Sequence, residues 1–412
     1  MSYDLSIATR TRPKPDSIEE FAKAAGAEIR TVGAFKPGSN VLVVFAAGDG
    51  GHGSDGRTID VDGPSAVDID DLPDDLAGVV PRARWLVDVH VPAGSDAETH
   101  ALALDMAVHL AREGDGAVFD PQDDRIAWPS GVTPRARGSA EERIRAIDLE
   151  WFVPTSSFPA DAARRWVERT KTDFPACAPV RFGPYEPFQG RLDRDGVEGF
   201  EAIWAEKAAD AIGGMFFWTA RDGGFSGSVS FADHRTASRP PRVGSVARLS
   251  ASVDARPIHR DSARCEALVT FFASVADDLG AAFGAACVTR DVILRRGHVS
   301  FDGQSESGPL PYARWWVGLP ALPTWLAWFG EPYRELLAEA VSDWVVPTPP
   351  SGVLARFGSE PMDVDELRGV FPALPPELLA RRRDGSAVDA GVRITHVQSP
   401  PSAPAEVIPW IE

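Results

Sequence analysis

The stretch SVARLSASVDA, residues 245–255, decides the fold of the second half of the chain, and WLVDVHV, Trp85–Val91, decides that of the first. In both stretches apolar and polar residues alternate, which predicts a β-strand with one buried face. A segment with helical spacing and then a second apolar stretch follow each of them. The predicted strand–helix–strand units occupy 85–91, 95–112 and 117–120 in the first half, and 245–255, 260–279 and 285–294 in the second.

These two units predict an α+β protein with two sheet-containing halves. Leu102, Met106 and Leu110 recur at four-residue intervals and give their helix an apolar stripe that a sheet can cover. We therefore expect helices packed on one face of antiparallel or mixed sheets. Residue identity between the halves is weak, so a true duplication and a shared α/β pattern both stay open. The expected domains are an N-terminal one over 1–147, a C-terminal one over 148–346, and a Pro- and Arg-rich tail over 347–412 that packs on them.

The net negative charge of the chain indicates which kinds of partner it can bind. The 412 residues include 60 Asp and Glu against 42 Lys and Arg, a formal net charge of −18. Such a chain disfavours direct nucleic-acid binding, because a phosphate backbone selects a positive surface, and it favours a basic protein partner. Segment 60–75 contains seven aspartates without Lys or Arg, and we expect an exposed loop there. A solvated loop that keeps the protein soluble is the alternative to partner binding. The predicted partner-binding residues are Asp68, Asp70, Asp71, Asp74 and Asp75.

Cysteine usage and hydropathy predict a cytoplasmic protein. Cys177, Cys265 and Cys287 are far apart and form no CxxC pair, which predicts neither a disulfide framework nor a zinc site. The N-terminus is charged almost at once, so we expect no signal peptide. No apolar run reaches the length of about 18 residues that spans a bilayer, so we expect no membrane partner.

No motif in the sequence predicts catalysis. The eight histidines form neither HExxH nor an i,i+4 pair, so we expect no metal, and we expect no cofactor. The GFSGS string at 224–228 lacks the GxSxG spacing of a nucleophile elbow. Cys265 lies inside a predicted helix, which favours a packed thiol over a nucleophile paired with His259. If the chain is an enzyme, the expected centre is either the set His90, His100 and His109 or the pair Tyr185–Glu186.

Aromatic, glycine and proline residues near the C-terminal end carry a family resemblance. WWVGLPALPTWLAWFGEPYRELL, residues 315–337, resembles the C-terminal signature of the bacterial immunity protein 52 family, and RFGPYEP with the following GVEGF is also similar to it. The resemblance covers about residues 150–350. Its residues are structural in type rather than reactive. The positions that match are Tyr185, Glu186, Trp315, Trp316, Gly318, Pro320, Gly330 and Tyr333.

The resemblance implies a non-enzymatic immunity protein. Such a protein binds and neutralises a cognate bacterial toxin in the cytosol, and the toxin implied here is a nuclease with a basic surface. This agrees with the acidic charge and with the lack of a catalytic motif. Two alternatives remain open: a non-catalytic scaffold or interaction protein with an unknown partner, and an enzyme whose site is not recognised.

Overall fold

The computed structural model describes most of the chain between Tyr3 and Gln398. The described ranges are 3–31, 35, 40–45, 57–72, 74–123, 125–132, 142–210, 214–220, 223–231, 244–295, 298–300, 315–316, 318–320, 323–331, 333–347, 351–379, 381–382 and 397–398. The predicted α+β class is confirmed, because two large antiparallel sheets carry helices on their surfaces.

The chain divides into two compact units. The first comprises 1–139 and 185–189, and the second comprises 140–184 and 190–412. The expected boundary at residue 147 falls inside a strand that spans Glu142–Pro154, so the structure places the division earlier. Within the expected tail, Gly352–Arg356 forms a strand of the second sheet.

The first unit is a seven-stranded sheet with the order β2-β3-β4-β5-β1-β6-β7, in which all neighbours are antiparallel. Its elements, in chain order, are β1 (Tyr3–Thr9), α1 (Pro15–Ala24), β2 (Ala27–Thr31), β3 (Asn40–Phe45), β4 (Arg57–Ala66), α2 (Asp74–Val79), β5 (Trp85–Val91), α3 (Ala97–Glu113), β6 (Gly116–Asp120) and β7 (Arg125–Trp128).

Alternation along the strands separates two faces of this sheet. Ile7, Val87 and Val89 are buried on the face where Met106 and Leu110 of α3 pack, together with α1. The short helix α2 packs on the other face, at one end, against a smaller apolar cluster. The Asp96 carboxylate caps α3 by accepting a hydrogen bond of 2.8 Å from the backbone N–H of Thr99.

The acidic segment 60–75 is not a loop, and that expectation is wrong. Asp60 and Asp62 belong to β4, a short 3-10 turn follows at Ile69–Asp71, and α2 begins at Asp74. The physical reason is the alternation of RTIDVD in β4, where Ile59 and Val61 are fully buried while the aspartates face the opposite side.

The second unit is built on a twelve-stranded sheet. Its main order is β10-β9-β11-β12-β13-β8-β14-β17-β19-β18, with β15 beside β14 and β16 beside β13. Its elements are β8 (Glu142–Pro154), α4 (Ala162–Thr172), β9 (Pro179–Gly183), β10 (Gly190–Arg191), α5 (Leu192–Ala208), β11 (Met215–Ala220), β12 (Gly224–Ser230), β13 (Gly244–Asp254), α6 (Ala255–Arg260), α7 (Ser262–Leu279), β14 (Phe283–Arg295), β15 (His298–Ser300), β16 (Trp315–Trp316), β17 (Leu326–Gly330), α8 (Tyr333–Leu337), β18 (Val345–Val346), β19 (Gly352–Arg356), α9 (Val364–Leu367), β20 (Arg381–Arg382) and β21 (Val397–Gln398).

Aromatic side chains fill the core between this sheet and its helices. Trp151 of β8 is fully buried and lies 5.8 Å from Trp166 of α4 and 6.2 Å from Phe271 of α7, measured between ring centroids. Its indole N–H donates to the carbonyl of Phe272 at 3.1 Å. Buried rings of this size dominate core energetics, so these contacts fix α4 and α7 on the sheet.

Helix α7 begins and ends where its flanking residues dictate. Asp261 precedes it, and its carboxylate accepts from the backbone N–H of Ala263 at 2.9 Å. Gly280 ends it in the left-handed conformation, φ +65°, which glycine adopts without steric cost. The predicted helix over 260–279 is thereby confirmed, with α6 separated from its first turn.

Candidate functional site

The predicted partner-binding aspartates lie on a turn and a helix. Asp68 is exposed and precedes the 3-10 turn, and its backbone N–H donates to the Asp71 carboxylate at 2.7 Å. The Asp68 carboxylate in return accepts from the backbone of Asp71, which completes a capping box. Asp70 belongs to the turn and Asp74 and Asp75 to α2, but their side chains lie outside the described residues. Partner binding by this group stays a prediction.

Four other aspartates gather on the face of the first sheet opposite α1 and α3. In the antiparallel register, cross-strand partners share a face. The partners across β4, β5 and β1 are Asp60, His90 and Asp4 in one row and Asp62, Asp88 and Ser6 in the next. The same-face positions of these three described strands hold no Lys or Arg. We define the acidic sheet face as Asp4, Asp60, Asp62 and Asp88.

Partial burial disfavours the charged form of two of these aspartates, Asp62 and Asp88. Burial raises the pKa of Asp88, although the Ser6 hydroxyl donates to it at 2.7 Å and His90 opposes the rise. Burial also raises the pKa of Asp62, and one of its carboxylate oxygens is buried without a hydrogen-bond partner among the described residues. Nδ1 of His90 lies 3.0 Å from a carboxylate oxygen of Asp4. The face therefore suits a cation, which would favour the ionised carboxylates.

The expected histidine centre is wrong, because its three members do not meet. His100 stacks on Tyr3 with 4.7 Å between ring centroids, and both belong to the side of the sheet that α3 covers. His109 lies on the same helix, 3.7 Å from Glu113. His90 alternates with buried Val89 and so faces the opposite side. Helical and strand periodicities separate these rings even though their sequence positions are close.

The residues of the family resemblance are partly buried and partly exposed. Tyr185 and Glu186 are exposed and group with the first unit, so they form no enclosed centre within the described residues. Gly318 and Pro320 are buried, and Tyr333 is fully buried. These buried positions are structural in this fold.

Three further motif positions, Gly330, Trp315 and Trp316, belong to strands of the second sheet. A Cβ atom on Gly330 would lie 2.0 Å from the carbonyl oxygen of Ala281, so only glycine fits there. Trp315 and Trp316 form β16 opposite Ser245 and Gly244, but their side chains lie outside the described residues.

A second polar group lies at the centre of the second sheet and was not anticipated. Asp148 and Glu150 of the central strand β8 share a face with Arg248 of β13 and Thr289 of β14. Arg248 donates to one Glu150 oxygen, and the Thr289 hydroxyl donates to Asp148 at 2.6 Å. We define the polar sheet patch as Asp148, Glu150, Arg248 and Thr289.

The two carboxylates of this patch both have raised pKa values. Glu150 is 8% exposed, and its second oxygen is buried without a partner among the described residues. Burial raises the pKa of Glu150, against the opposing charge of Arg248, and burial raises the pKa of Asp148 as well. Convergent polar groups with shifted acids can bind a polar ligand or exchange a proton with it.

The sequence signal for this patch was alternation. DLEW in β8 and RLSAS in β13 place a polar residue at every second position of strands that are otherwise apolar. A charged pair at such positions is easily read as solvated surface in an acidic chain. The sheet order, which puts β8 between β13 and β14, is what brings the polar side chains together.

The GFSGS string is also explained by the sheet. It lies within β12, so it does not form the strand-to-helix turn of a nucleophile elbow. The Ser228 hydroxyl oxygen lies 2.8 Å from that of Ser250 on β13, and this pair continues the polar side of the sheet. Within the described ranges no group of three or more His, Cys, Asp and Glu side chains is placed to hold a metal ion.

Comparisons with known proteins identify no family for this chain. No protein-family model matches the sequence, and no curated protein is found to match it. One solved structure with a partial likeness is described as the T6SS protein PA0821 from Pseudomonas aeruginosa, with 13% identity over 56% of this chain and 77% of that chain and a TM-score of 0.36. A TM-score this low identifies neither a family nor a function. In the described part of the chain no helix is long and apolar enough to cross a membrane.

Proposed function

We propose that the chain is a non-catalytic, cytoplasmic immunity protein that binds and neutralises a toxin with a basic surface, and that the acidic sheet face is its binding surface. The observation that carries the proposal is the placement of Asp4, Asp60, Asp62 and Asp88 on three neighbouring strands without a Lys or Arg at the same-face positions. The motif resemblance to the immunity protein 52 family supports the same function.

The spacing of the carboxylates favours a partner with several cations. Neighbouring strands lie about 4.8 Å apart, and alternate residues of a strand lie about 7 Å apart, so the face offers a small grid of acids. Lys and Arg side chains from one basic patch can reach several of its points at once. An attractive field of this kind raises association rates, and the gain falls as salt screens it.

The raised pKa values of Asp62 and Asp88 also favour the binding of a cation, which stabilises the ionised carboxylates. In the isolated protein, ionising these acids is less favourable than it is in water, because partial burial removes water from them. A guanidinium or ammonium group placed against them replaces that lost hydration. A nuclease uses its basic cleft to hold phosphates, so covering the cleft with carboxylates blocks the substrate without chemistry by this chain.

The test is the association rate with the product of the gene adjacent to its own, measured at about 50 mM and 500 mM salt. We expect the variant Asp60→Asn, Asp62→Asn, Asp88→Asn to associate about tenfold more slowly at low salt. The matched control removes three exposed carboxylates from α1 and α3, in the variant Glu19→Gln, Glu20→Gln, Asp105→Asn.

The control should associate at nearly the parent rate, since it loses the same net charge away from the face. Equal slowing in both variants would mean that net charge alone attracts the partner. No slowing in either would remove the acidic sheet face from the interface.

The polar sheet patch favours a second candidate function, a small-ligand or enzymatic site. Glu150 is buried and Asp148 is half-buried, and both lie in a convergent polar setting, which is the pattern of many catalytic sites. If this candidate is correct, Glu150→Gln abolishes ligand binding or turnover while toxin capture is unchanged. A metabolite screen by thermal shift, run on the parent and on Glu150→Gln, decides between the two.

A further inference from the structure

A cavity of about 680 Å³ opens in the second unit beside α6, the first turns of α7 and the edge strand β18. Its size is that of a ligand or peptide site rather than a packing defect. Its apolar lining is formed by Ile258, Trp344, Val345, Val346, Phe357 and Val370.

Arg356 lines one wall of this cavity, and each nitrogen of its guanidinium group contacts a neighbouring residue. Its Nε donates to the carbonyl of Gly358 at 2.9 Å, and Nη1 pairs with Glu266 at 2.6 Å. Nη2 lies 3.5 Å from the sulfur of Cys265, and the side chain is only 13% exposed. The positive charge of Arg356 is therefore neutralised within the wall, where it holds the segment that carries Glu360.

Cys265 belongs to the same wall and is not a nucleophile. It is buried, burial raises the pKa of its thiol, and the thiol donates to the carbonyl of Ser359 at 3.6 Å. His259 also lines the cavity, but its Nδ1 lies 3.8 Å from Glu360. A thiol held in this state is a packed side chain, since a nucleophilic cysteine needs a lowered pKa.

The exposed charged side chains at the cavity include two acids, and some of the apolar side chains that line it are exposed to solvent. Glu360 is 70% exposed, and Asp343 is exposed as well. Val345 and Val370 are 46% and 38% exposed, and they are two of the five large apolar or aromatic side chains that are exposed in the described residues. Acids beside exposed apolar side chains are complementary to a cation on an apolar stem.

We propose that this cavity binds an arginine side chain, with an adjacent apolar residue, from an exposed segment of the partner protein. The guanidinium meets the carboxylates of Asp343 and Glu360, and the methylene stem packs on Trp344 and Val345. Arginine fits better than lysine because its planar group can bond carboxylates in pairs and stack on an indole ring. The inference rests on the proposed basic partner and adds a second contact to it, on the second unit.

The test uses three short peptides and does not need the toxin. Acetyl-Leu-Arg-Leu-amide is the probe. The citrulline version keeps its shape while removing the charge, and the glutamate version reverses the charge on a shorter side chain. Binding is followed by calorimetry or by NMR shifts on the full chain. We expect the arginine peptide to bind at least about tenfold more tightly than the citrulline peptide, a difference that reports the charge.

Variants locate the binding. Asp343→Asn with Glu360→Gln should weaken the arginine peptide about tenfold, while the matched control Glu335→Gln with Glu339→Gln, two exposed acids outside the cavity, should leave it unchanged. Both pairs are exposed, so thermal unfolding should be the same as in the parent.

Three results would overturn the inference. The first is equal binding of the three peptides. The second is no binding of any peptide up to about 10 mM, which corresponds to a standard free energy of binding weaker than about −3 kcal/mol, and the third is an equal loss of arginine-peptide affinity in both variants. If the peptides fail but toxin capture remains, only the cavity is excluded. If the arginine peptide binds but the neighbouring gene product is not captured, the proposed function fails and the cavity stands.

Discussion

Replacing Arg248 with methionine tests the electrostatics at the centre of the second sheet. Arg248 donates to Glu150, which is 8% exposed, and the other Glu150 oxygen has no partner among the described residues. Removing one partner of a buried ion pair typically costs about 3–5 kcal/mol, because it leaves a buried charge uncompensated. We expect Arg248→Met to lower the free energy of unfolding by that amount near pH 8.

The loss should be smaller in acid. Burial raises the pKa of Glu150 and Arg248 opposes that rise, so removing Arg248 raises the pKa further. A carboxyl with a raised folded-state pKa contributes its stability below the unfolded pKa and loses it as pH rises through the folded pKa. A larger fraction of Glu150 is therefore protonated in the variant as the pH falls, and an unsatisfied neutral polar group costs only about 1–3 kcal/mol.

The assay is urea unfolding followed by tryptophan fluorescence at pH 5 and pH 8. The control is the double variant Arg248→Met with Glu150→Leu, which removes both charges and should return to within about 1.5 kcal/mol of the parent. An equal loss at the two pH values would refute the reasoning. So would a double variant that is as unstable as Arg248→Met alone.

Three further changes probe the rest of the structure. Asp88→Asn should raise the free energy of unfolding at pH 8 and have no such effect below pH 4, because burial raises the pKa of Asp88; denaturant titrations at both pH values check the sign. Gly330→Ala should cost roughly 1–3 kcal/mol, measured by thermal unfolding, because its Cβ would lie 2.0 Å from the Ala281 carbonyl oxygen. Asp68→Ala should destabilise its turn by about 1 kcal/mol through the lost capping box, seen as faster hydrogen exchange over Ile69–Asp71 without global unfolding.

The fold could be predicted wherever the pattern is local. β5 was predicted with its observed bounds, since WLVDVHV alternates cleanly. The helix over 260–279 was predicted from its apolar face, and α7 begins two residues later, with Asp261 before it and Gly280 after it. β19 was missed inside a stretch rich in Pro and Gly, because only its pairing with β17 makes GVLAR a strand. Register with a distant partner is a tertiary property that periodicity does not contain.

The candidate sites depend even more on tertiary placement. Asp88 and Asp60 are 28 positions apart in sequence, and strand order alone puts them on one face. The acidic segment was recognised by composition, yet its strand was read as a loop because aspartate disfavours strands. Arg248 and Glu150 also meet only because β13 pairs with β8, and neither residue belongs to a sequence motif.

The most direct test of the proposed function is co-expression with the product of the adjacent gene. We expect that product to be toxic alone, and the parent chain to restore growth and to co-purify with it. The variant Asp60→Asn, Asp62→Asn, Asp88→Asn should fold but rescue growth poorly, because it lacks three acids of the acidic sheet face. A harmless neighbouring product, or full rescue by that variant, would contradict the account.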